Sequence, residues 1–189
     1  MPTLHTRRLV LRPWTADDAE ALFRYARNPE VGPRAGWPAH ASMEESREVI
    51  RAVLSMPETY ALVVRGRKPA GEPVGAASLM IGAASRLGLG GREAEIGYWL
   101  GRPLWGRGYM PEAVDALVSH AFRDLRLDAV WCGFYEGNEQ SRRVQEKAGL
   151  TPHHVREVAP ESSSFGTTRE HVTRLTRDEW ERREADGRP

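Results

Sequence analysis

The sequence predicts a mixed α/β domain, and three observations carry that prediction. Short runs that read as strands alternate with segments of helical period along most of the 189 residues. One stretch, Glu93 to Ala113 (EAEIGYWLGRPLWGRGYMPEA), reads as a strand, a glycine-rich loop and a helix in direct succession. A second, Asn138 to Leu150 (NEQSRRVQEKAGL), reads as a short helix with a marked start and a marked end.

Taken in order, Met1 to His5 reads as a loose start, and Arg8 to Arg12 alternates basic and apolar residues as a first strand closed by Pro13. Thr15 is an N-cap residue with Asp17 and Asp18 behind it. Ala19, Leu22, Phe23 and Ala26 give the helix that follows its buried face, and Asn28-Pro29 ends it. Glu30 to Ala41 is irregular, with two prolines and two glycines; its Trp37 either lines a pocket or plugs the core. Ser42 and Glu45 form a capping box for a second helix, carried by Val49, Ile50, Val53 and Leu54 to Met56-Pro57. Tyr60 to Val64 and Val74 to Ile81 read as a hairpin about the Gly66–Gly71 turn, and Gly82 to Gly91 as a flexible loop. Ala94 to Leu100 is the strand of the first motif. Pro111 fits the first turn of its helix, and Val114, Leu117, Val118, Ala121, Phe122 and Leu125 recur as one apolar face. Ala129 to Tyr135 is a buried strand. Asn138 caps the short helix, Gly149 is its C′ residue, and Ser141 shares a face with Val144 and Ala148. Pro152 to Val158 and Glu170 to Leu175 are paired strands, and Arg177 to Pro189 is charged enough to fray. One domain over 1–180 with a charged tail over 181–189 is the expected organisation.

The loop Trp105-Gly106-Arg107-Gly108 has chemical meaning. Glycines let several backbone N–H groups converge on one point, the helix behind adds its own free N–H groups and dipole, and Arg107 adds a charge. A phosphate or pyrophosphate is the natural guest. Two familiar phosphate motifs fail, however. No Gly-Lys-Ser/Thr triplet occurs, and counting from Gly106 and Gly108 the third glycine of a dinucleotide fingerprint is Pro111. Nucleotide-hydrolysing and nicotinamide enzymes are therefore disfavoured.

Composition closes off other classes. With 27 basic against 26 acidic residues there is no global pull towards nucleic acid or a membrane surface. One cysteine, Cys132, excludes an internal disulfide framework, and its apolar neighbours make it a buried thiol. No apolar run spans a bilayer and no signal peptide is evident, so a soluble cytoplasmic protein is expected. His153-His154 and His171 lack metal-ligand spacing, and no metal is expected.

The order strand, W-G-R-G-Y, helix, strand, then N-x-x-S-x-x-x-x-x-K-x-G resembles the GNAT superfamily of acyl-CoA-dependent N-acetyltransferases, and within it the RimJ/RimL branch. Thr6 to Pro13 (TRRLVLRP) resembles that branch's opening strand, Glu95 to Leu100, Trp105 to Ala113 and Asn138 to Leu150 its core, and Leu175 to Trp180 (LTRDEW) its ending. The resemblance implies a GNAT fold: a mixed, mostly antiparallel sheet of about seven strands flanked by about four helices. In it the strands at 94–100 and 129–135 lie parallel and splay apart. Acetyl-CoA would lie in the gap, its pantetheine on the backbone near Trp99 and Leu100 and its pyrophosphate on Trp105, Gly106, Arg107, Gly108, Tyr109 and Met110. The family pattern Gln/Arg-x-x-Gly-x-Gly/Ala falls on Trp105, Gly108 and Met110, of which Gly108 is standard.

Acyl transfer to an amine needs a base for the amine, a stabilised thioester oxygen and a partner for the leaving thiolate. Glu95, before the glycine that would kink the strand, is the expected base, with Glu93 in reserve on the same face and a salt-bridged strand residue as the alternative reading. Many family members place a tyrosine seven residues after the motif asparagine; here that position is Gln145. Ser141 is the expected donor to sulfur, and Asn138 is expected to bond the pantetheine. The loop Ser162 to Thr168 would border the acceptor entrance. The expected reaction is acetyl transfer from acetyl-CoA to a primary amine, a protein N-terminus or a small molecule, by direct attack in a ternary complex. Another donor such as succinyl-CoA and a non-catalytic acyl-CoA-binding protein are the competing readings. A homodimer is plausible for the branch.

Overall fold

A computed structural model of the chain describes residues 1–159 and 166–187. Eight strands form one sheet in the order β1-β2-β3-β4-β5-β6-β8-β7. They are β1 (Leu4–His5), β2 (Leu9–Pro13), β3 (Thr59–Val64), β4 (Pro73–Ile81), β5 (Glu93–Leu100), β6 (Ala129–Tyr135), β7 (Thr151–Glu157) and β8 (Arg169–Thr176). Every neighbouring pair is antiparallel except β5 and β6, which are parallel. Five α-helices flank the sheet: α1 (Ala19–Ala26), α2 (Met43–Val49), α3 (Tyr109–Arg123), α4 (Glu139–Lys147) and α5 (Arg177–Ala185).

The strand alternation sorts the core onto two faces. Leu9, Leu11, Leu62, Ile96 and Leu100 meet Val114, Leu117, Val118 and Phe122 of α3 on one face. Ala61 and Ala76 meet Trp14, Leu22, Ile50 and Leu54 on the other, under α1 and α2. Burying both faces explains why β3 and β4 are apolar with little alternation.

Four local readings change. Leu4 and His5 pair with Leu11 and Val10, giving an eighth strand where a loose start was expected. Glu45 N–H donates to Ser42 Oγ at 3.0 Å, but the Glu45 carboxylate turns to the Ala41 N–H at 2.6 Å instead of closing the box on Ser42. The second helix ends in a π-turn over Ile50–Leu54, which leaves Val53 56% exposed, outside the core. The C-terminal segment expected to fray is α5. Thr176 and Glu179 cap it reciprocally, and Trp180 lies 5.4 Å from the Phe122 ring. The helix crosses the boundary expected at 180–181. The loop expected at the acceptor entrance falls on 162–168, and its 162–165 portion lies outside the described residues.

Candidate active site

The site begins where the sheet opens. β5 and β6 pair only at Glu93–Ala129, Ala94–Val130 and Glu95–Trp131. Beyond Glu95, β5 stays with β4 as far as Leu100, and β6 stays with β8 as far as Tyr135. The gap between them holds a small cavity of about 70 Å3 bordered by Ile96, Gly97, Tyr98, Cys132, Gly133 and Glu170. The backbone of β5 alternates its polar groups between β4 and the gap. Trp99 pairs with Ala76 of β4, and its ring lies on the far face, 6.4 Å from Trp14 and 5.8 Å from Trp37. The Leu100 carbonyl accepts the Trp105 indole N–H at 2.6 Å. The two positions expected to receive pantetheine are thus engaged, and the gap-facing position left between Ile96 and Leu100 is Tyr98. Trp37, whose placement had two readings, packs between Trp99 and His40, 5.3 Å from the latter.

A larger cleft of about 400 Å3 continues from the gap along the start of α3. Gly106 and Gly108 both take φ of +74°, the left-handed conformation that only glycine adopts without strain. Gly108 is the N-cap of α3, so its N–H and those of Tyr109 and Met110 have no carbonyl partner within the helix. Pro111 has no N–H to satisfy. Trp105, Gly106, Gly108, Tyr109 and Met110 border the cleft, whereas Arg107 is exposed and is not among the bordering residues. The Met110 side chain is buried in the core. Arg34, Arg143 and Lys147 border the cleft as well, and among the described residues no carboxylate does. Arg34 and Arg102 cover the Trp105 ring at 5.4 and 4.8 Å.

Cleft and gap share Tyr98, Asn138 and Ser141. The Asn138 side chain caps α4 by accepting the Ser141 N–H at 3.2 Å, and its amide donates to the Arg34 carbonyl at 3.5 Å. Ser141 Oγ lies 2.8 Å from the Tyr98 hydroxyl. Gln145, in the position of the family's tyrosine, is buried. Its amide donates to Ser141 Oγ at 3.1 Å and to the Gly133 carbonyl at 3.0 Å, while its Oε1 accepts the Thr173 hydroxyl at 2.7 Å. Burial pushes the Tyr98 phenol well above its ordinary range, so it stays protonated and able to donate. Burial likewise pushes the Cys132 thiol up, which makes it a packing group rather than a nucleophile. Tyr98 was missed by sequence reasoning; its alternation with Ile96 and Leu100, facing Ser141's helix, is the signal that could have found it.

Glu95 stands at the last rung before the gap and is fully buried. Its Oε2 accepts the Ser85 hydroxyl at 3.0 Å and the Arg86 N–H at 2.8 Å, and its Oε1 accepts Arg86 Nε at 3.1 Å and Nη2 at 2.5 Å. That is the salt-bridged alternative; Glu95 does not border either cavity. Glu93 is engaged too, accepting the Trp131 indole N–H at 3.0 Å. The carboxylate that does border the gap is Glu170 of β8. Its Oε2 accepts Arg156 Nε at 2.6 Å, and its Oε1 lies 3.5 Å from Arg86 Nη2. His153 and His154 pack on Trp131, at 4.7 and 6.5 Å. Among the described residues no group of three or more His, Cys, Asp or Glu side chains is placed to hold a metal, and no helix is long and apolar enough to cross a membrane.

Comparison with known proteins places this geometry. The uncharacterized N-acetyltransferase YoaA of Bacillus subtilis (strain 168) is 32% identical over 158 residues, covering 79% of this chain and 82% of that protein. The structure of AAC(6')-Ib in complex with ribostamycin and coenzyme A matches with a TM-score of 0.72 at 20% identity, over 93% of this chain and 97% of that one. The ribosomal-protein-S5-alanine acetyltransferase from Vibrio fischeri matches with a TM-score of 0.73 at 17% identity, over 95% and 99%. At those identities the two structures show a shared fold. The model of the acetyltransferase (GNAT) domain matches residues 8–151, and with an open mixed sheet splayed at β5 and β6 the chain belongs to the GNAT acetyltransferase family.

Proposed function

We propose that the chain is an acyl-CoA-dependent N-acetyltransferase that moves the acetyl group of acetyl-CoA to a primary amine by direct attack in a ternary complex. One observation carries this reading: a cleft rimmed by glycine-loop N–H groups and three cations, with no carboxylate among the described residues, runs into the sheet gap at the Tyr98–Ser141 hydroxyl pair. The cleft suits a pyrophosphate and the gap suits an amide-bearing arm ending in a thioester.

In this reading each residue has a stated task. Gly106, Gly108, Tyr109 and Met110 receive phosphate oxygens on backbone N–H, and Arg143 and Lys147 balance the remaining charge. The Tyr98 backbone pairs with the arm. Gln145 donates to Ser141 Oγ, and the hydroxyl pair keeps one proton in its own hydrogen bond, which leaves the other proton available for sulfur as negative charge develops there. Asn138 holds α4 and the Arg34 segment around that point. Glu170, buried along the gap, receives the proton that the acceptor's ammonium group loses. Glu95, held by four hydrogen bonds, serves by fixing Arg86 beside Glu170. The fold itself does not select an acceptor: one structural neighbour is a complex with ribostamycin and coenzyme A, and another is a ribosomal-protein-S5-alanine acetyltransferase. Both acceptor classes fit the reading.

A second donor has one observation in its favour, since Arg34 and Arg86 border the gap where an acidic acyl group would end. Arg86 already pairs with Glu95 and lies beside Glu170, and the gap cavity is small, so acetyl is the preferred group. Calorimetric titration with acetyl-CoA, CoA and succinyl-CoA tests both. Gly108→Glu, which forces a side chain onto a φ of +74° and sets its Cβ 3.4 Å from Nη2 of Arg8 behind the loop, distorts the phosphate loop and is expected to abolish binding. Wild-type protein that binds none of the three would sink the proposal.

A further inference from the structure

The phosphate loop is gripped from behind by a part of the chain that touches no ligand surface. Arg8, just before β2, donates from Nη1 to the Arg107 carbonyl and from Nη2 to the Gly108 carbonyl, both at 2.9 Å. Its Nε donates to Glu112 Oε2 at 2.6 Å, and its guanidinium lies 4.8 Å from the Tyr109 ring centroid. Glu112, in the opening of α3, accepts the Arg8 N–H at 2.7 Å and the Thr6 hydroxyl at 2.6 Å on its other oxygen. Burial alone would raise the Glu112 carboxyl, but hydrogen bonds from Thr6 and Arg8 outweigh it and keep the group below its ordinary range. Neither Arg8 nor Glu112 borders the cleft.

A trans peptide points its C=O and its N–H in opposite directions. Pinning the Arg107 carbonyl therefore aims the Gly108 N–H away from Arg8, and pinning the Gly108 carbonyl aims the Tyr109 N–H the same way. Away from Arg8 is the cleft, which Gly108 and Tyr109 border. Without the clamp, the Arg107–Gly108 peptide, joined to two left-handed glycines, is free to rotate and offer its carbonyl oxygen to an anion, while the Gly108 carbonyl keeps the N-cap bond that begins α3. We propose that Arg8, set by Glu112 and Thr6, is a positioning residue for the acyl donor: it presets the Gly108 N–H, one of the groups that receive the pyrophosphate. This rests on the reading of the cleft as an acyl-CoA site. It also gives the TRRLVLRP opening a task in donor binding, through contacts about a hundred residues away in sequence.

The test compares two ligands that share the arm and differ in the phosphates. CoA and pantetheine are titrated by NMR into the wild type, Arg8→Gln and Glu112→Gln, each checked by thermal melting. Losing hydrogen bonds that orient a charged ligand's donors is expected to weaken CoA binding by roughly 10- to 100-fold in Arg8→Gln, and by less in Glu112→Gln. Pantetheine affinity is expected to stay within about twofold, because the gap does not depend on the clamp. Equal losses for both ligands would mean that Arg8 only supports folding, and unchanged CoA binding would mean that the loop is preset without it; either overturns the inference. If Arg8→Gln fails to fold, Arg8→Lys, which keeps the charge and cannot reach both carbonyls and the carboxylate, carries the same comparison with the same criteria. Wild-type protein that binds no CoA refutes the proposed function itself and is read separately from the variants.

Discussion

Replacing Glu95 with glutamine separates a base from a buried anchor. The side chain accepts two hydrogen bonds on each oxygen, three of the four from Arg86. In Glu95→Gln one oxygen becomes an NH2 group. Whichever way the amide turns, it faces two donors where it had accepted, and the full charge opposite Arg86 is gone. Breaking a buried ion pair from one side costs about 3–5 kcal/mol. Arg86 is half-exposed and keeps Glu170 at 3.5 Å, so the low end, about 3 kcal/mol, applies here. For a chain of this length, 1 kcal/mol moves the melting temperature by roughly 2–4 °C, which gives a fall of about 6–12 °C. The rate of the folded fraction should drop by less than about tenfold, because no proton passes through Glu95. Glu170→Gln also breaks a buried pair, with Arg156, and should lose stability too, but it should in addition lower kcat by about 10²-fold or more as a missing general base does. Melting curves and single-turnover rates on both variants make the check. A Glu95→Gln protein that melts within about 2 °C of wild type but loses about 10²-fold or more in kcat would refute the anchor role and restore Glu95 as the base.

Other outcomes follow from the same geometry. Ser141→Ala and Tyr98→Phe should each lower kcat by about 10-fold or more with little change in the Kd for CoA, since one donor to developing charge is lost in each; unchanged kcat in both would remove the hydroxyl pair from the mechanism. A Cβ on Gly133 would sit 2.3 Å from Glu170 Oε1, so Gly133→Ala should cost about 1–3 kcal/mol and raise the KM for the acceptor more than the Kd for the donor. His40 is buried with Nδ1 2.8 Å from Ser46 Oγ, and burial, against a smaller opposing pull from Glu45, holds its pKa below the ordinary value. The unfolded chain therefore takes up this proton first. The stability that His40 contributes is whole above about pH 6.5 and is lost as pH falls through the lowered folded value. Urea midpoints at pH 7.5 and 5.5 should differ more in wild type than in His40→Gln, and equal differences would show that His40 is not the group.

What was legible in the sequence was local. Gly106, Gly108 and Pro111 announce a loop feeding a helix within a few residues, and the period of Val114 to Phe122 shows which side is buried. Asn138 and Gly149 mark both ends of α4 by backbone requirements that no other part of the chain can change. The illegible parts are pairings across the fold. Arg86 comes from a stretch of glycine, alanine and serine with no period, so nothing in it announces that it will pair with the buried Glu95. Tyr98 and Ser141 lie 43 positions apart, and Arg8 and Glu112 lie 104 apart. The helix α5 is an intermediate case. Its face is too charged to show a period, yet Thr176 and Glu179 spell a capping box, and that signal was available.

The gap itself shows how such pairings make a site. A sheet that splays leaves backbone polar groups without their ladder partners, and buried groups of that kind must be satisfied. Here side chains supply the partners. The Ile96 carbonyl accepts from Cys132 Sγ at 3.2 Å, the Leu100 carbonyl from the Trp105 indole, and the Gly133 carbonyl from Gln145. Each of these side chains acts as a wedge that makes reclosure of β5 on β6 unprofitable. This accounts for a glutamine where the family commonly carries a tyrosine: its amide reaches the Gly133 carbonyl and Ser141 together, while Thr173 fixes its other end. In the proposed function the donor hydroxyl then comes from Tyr98 on the facing strand. Of the β5 positions turned to the gap, Ile96 and Leu100 are spoken for and Tyr98 stands between them, beside the hydroxyl pair. An amide-bearing arm that completes the interrupted ladder at Tyr98 would, by the same placement, carry its terminal sulfur to the two hydroxyls. In the proposed function, binding register and chemistry would thus both turn on a single residue of the strand.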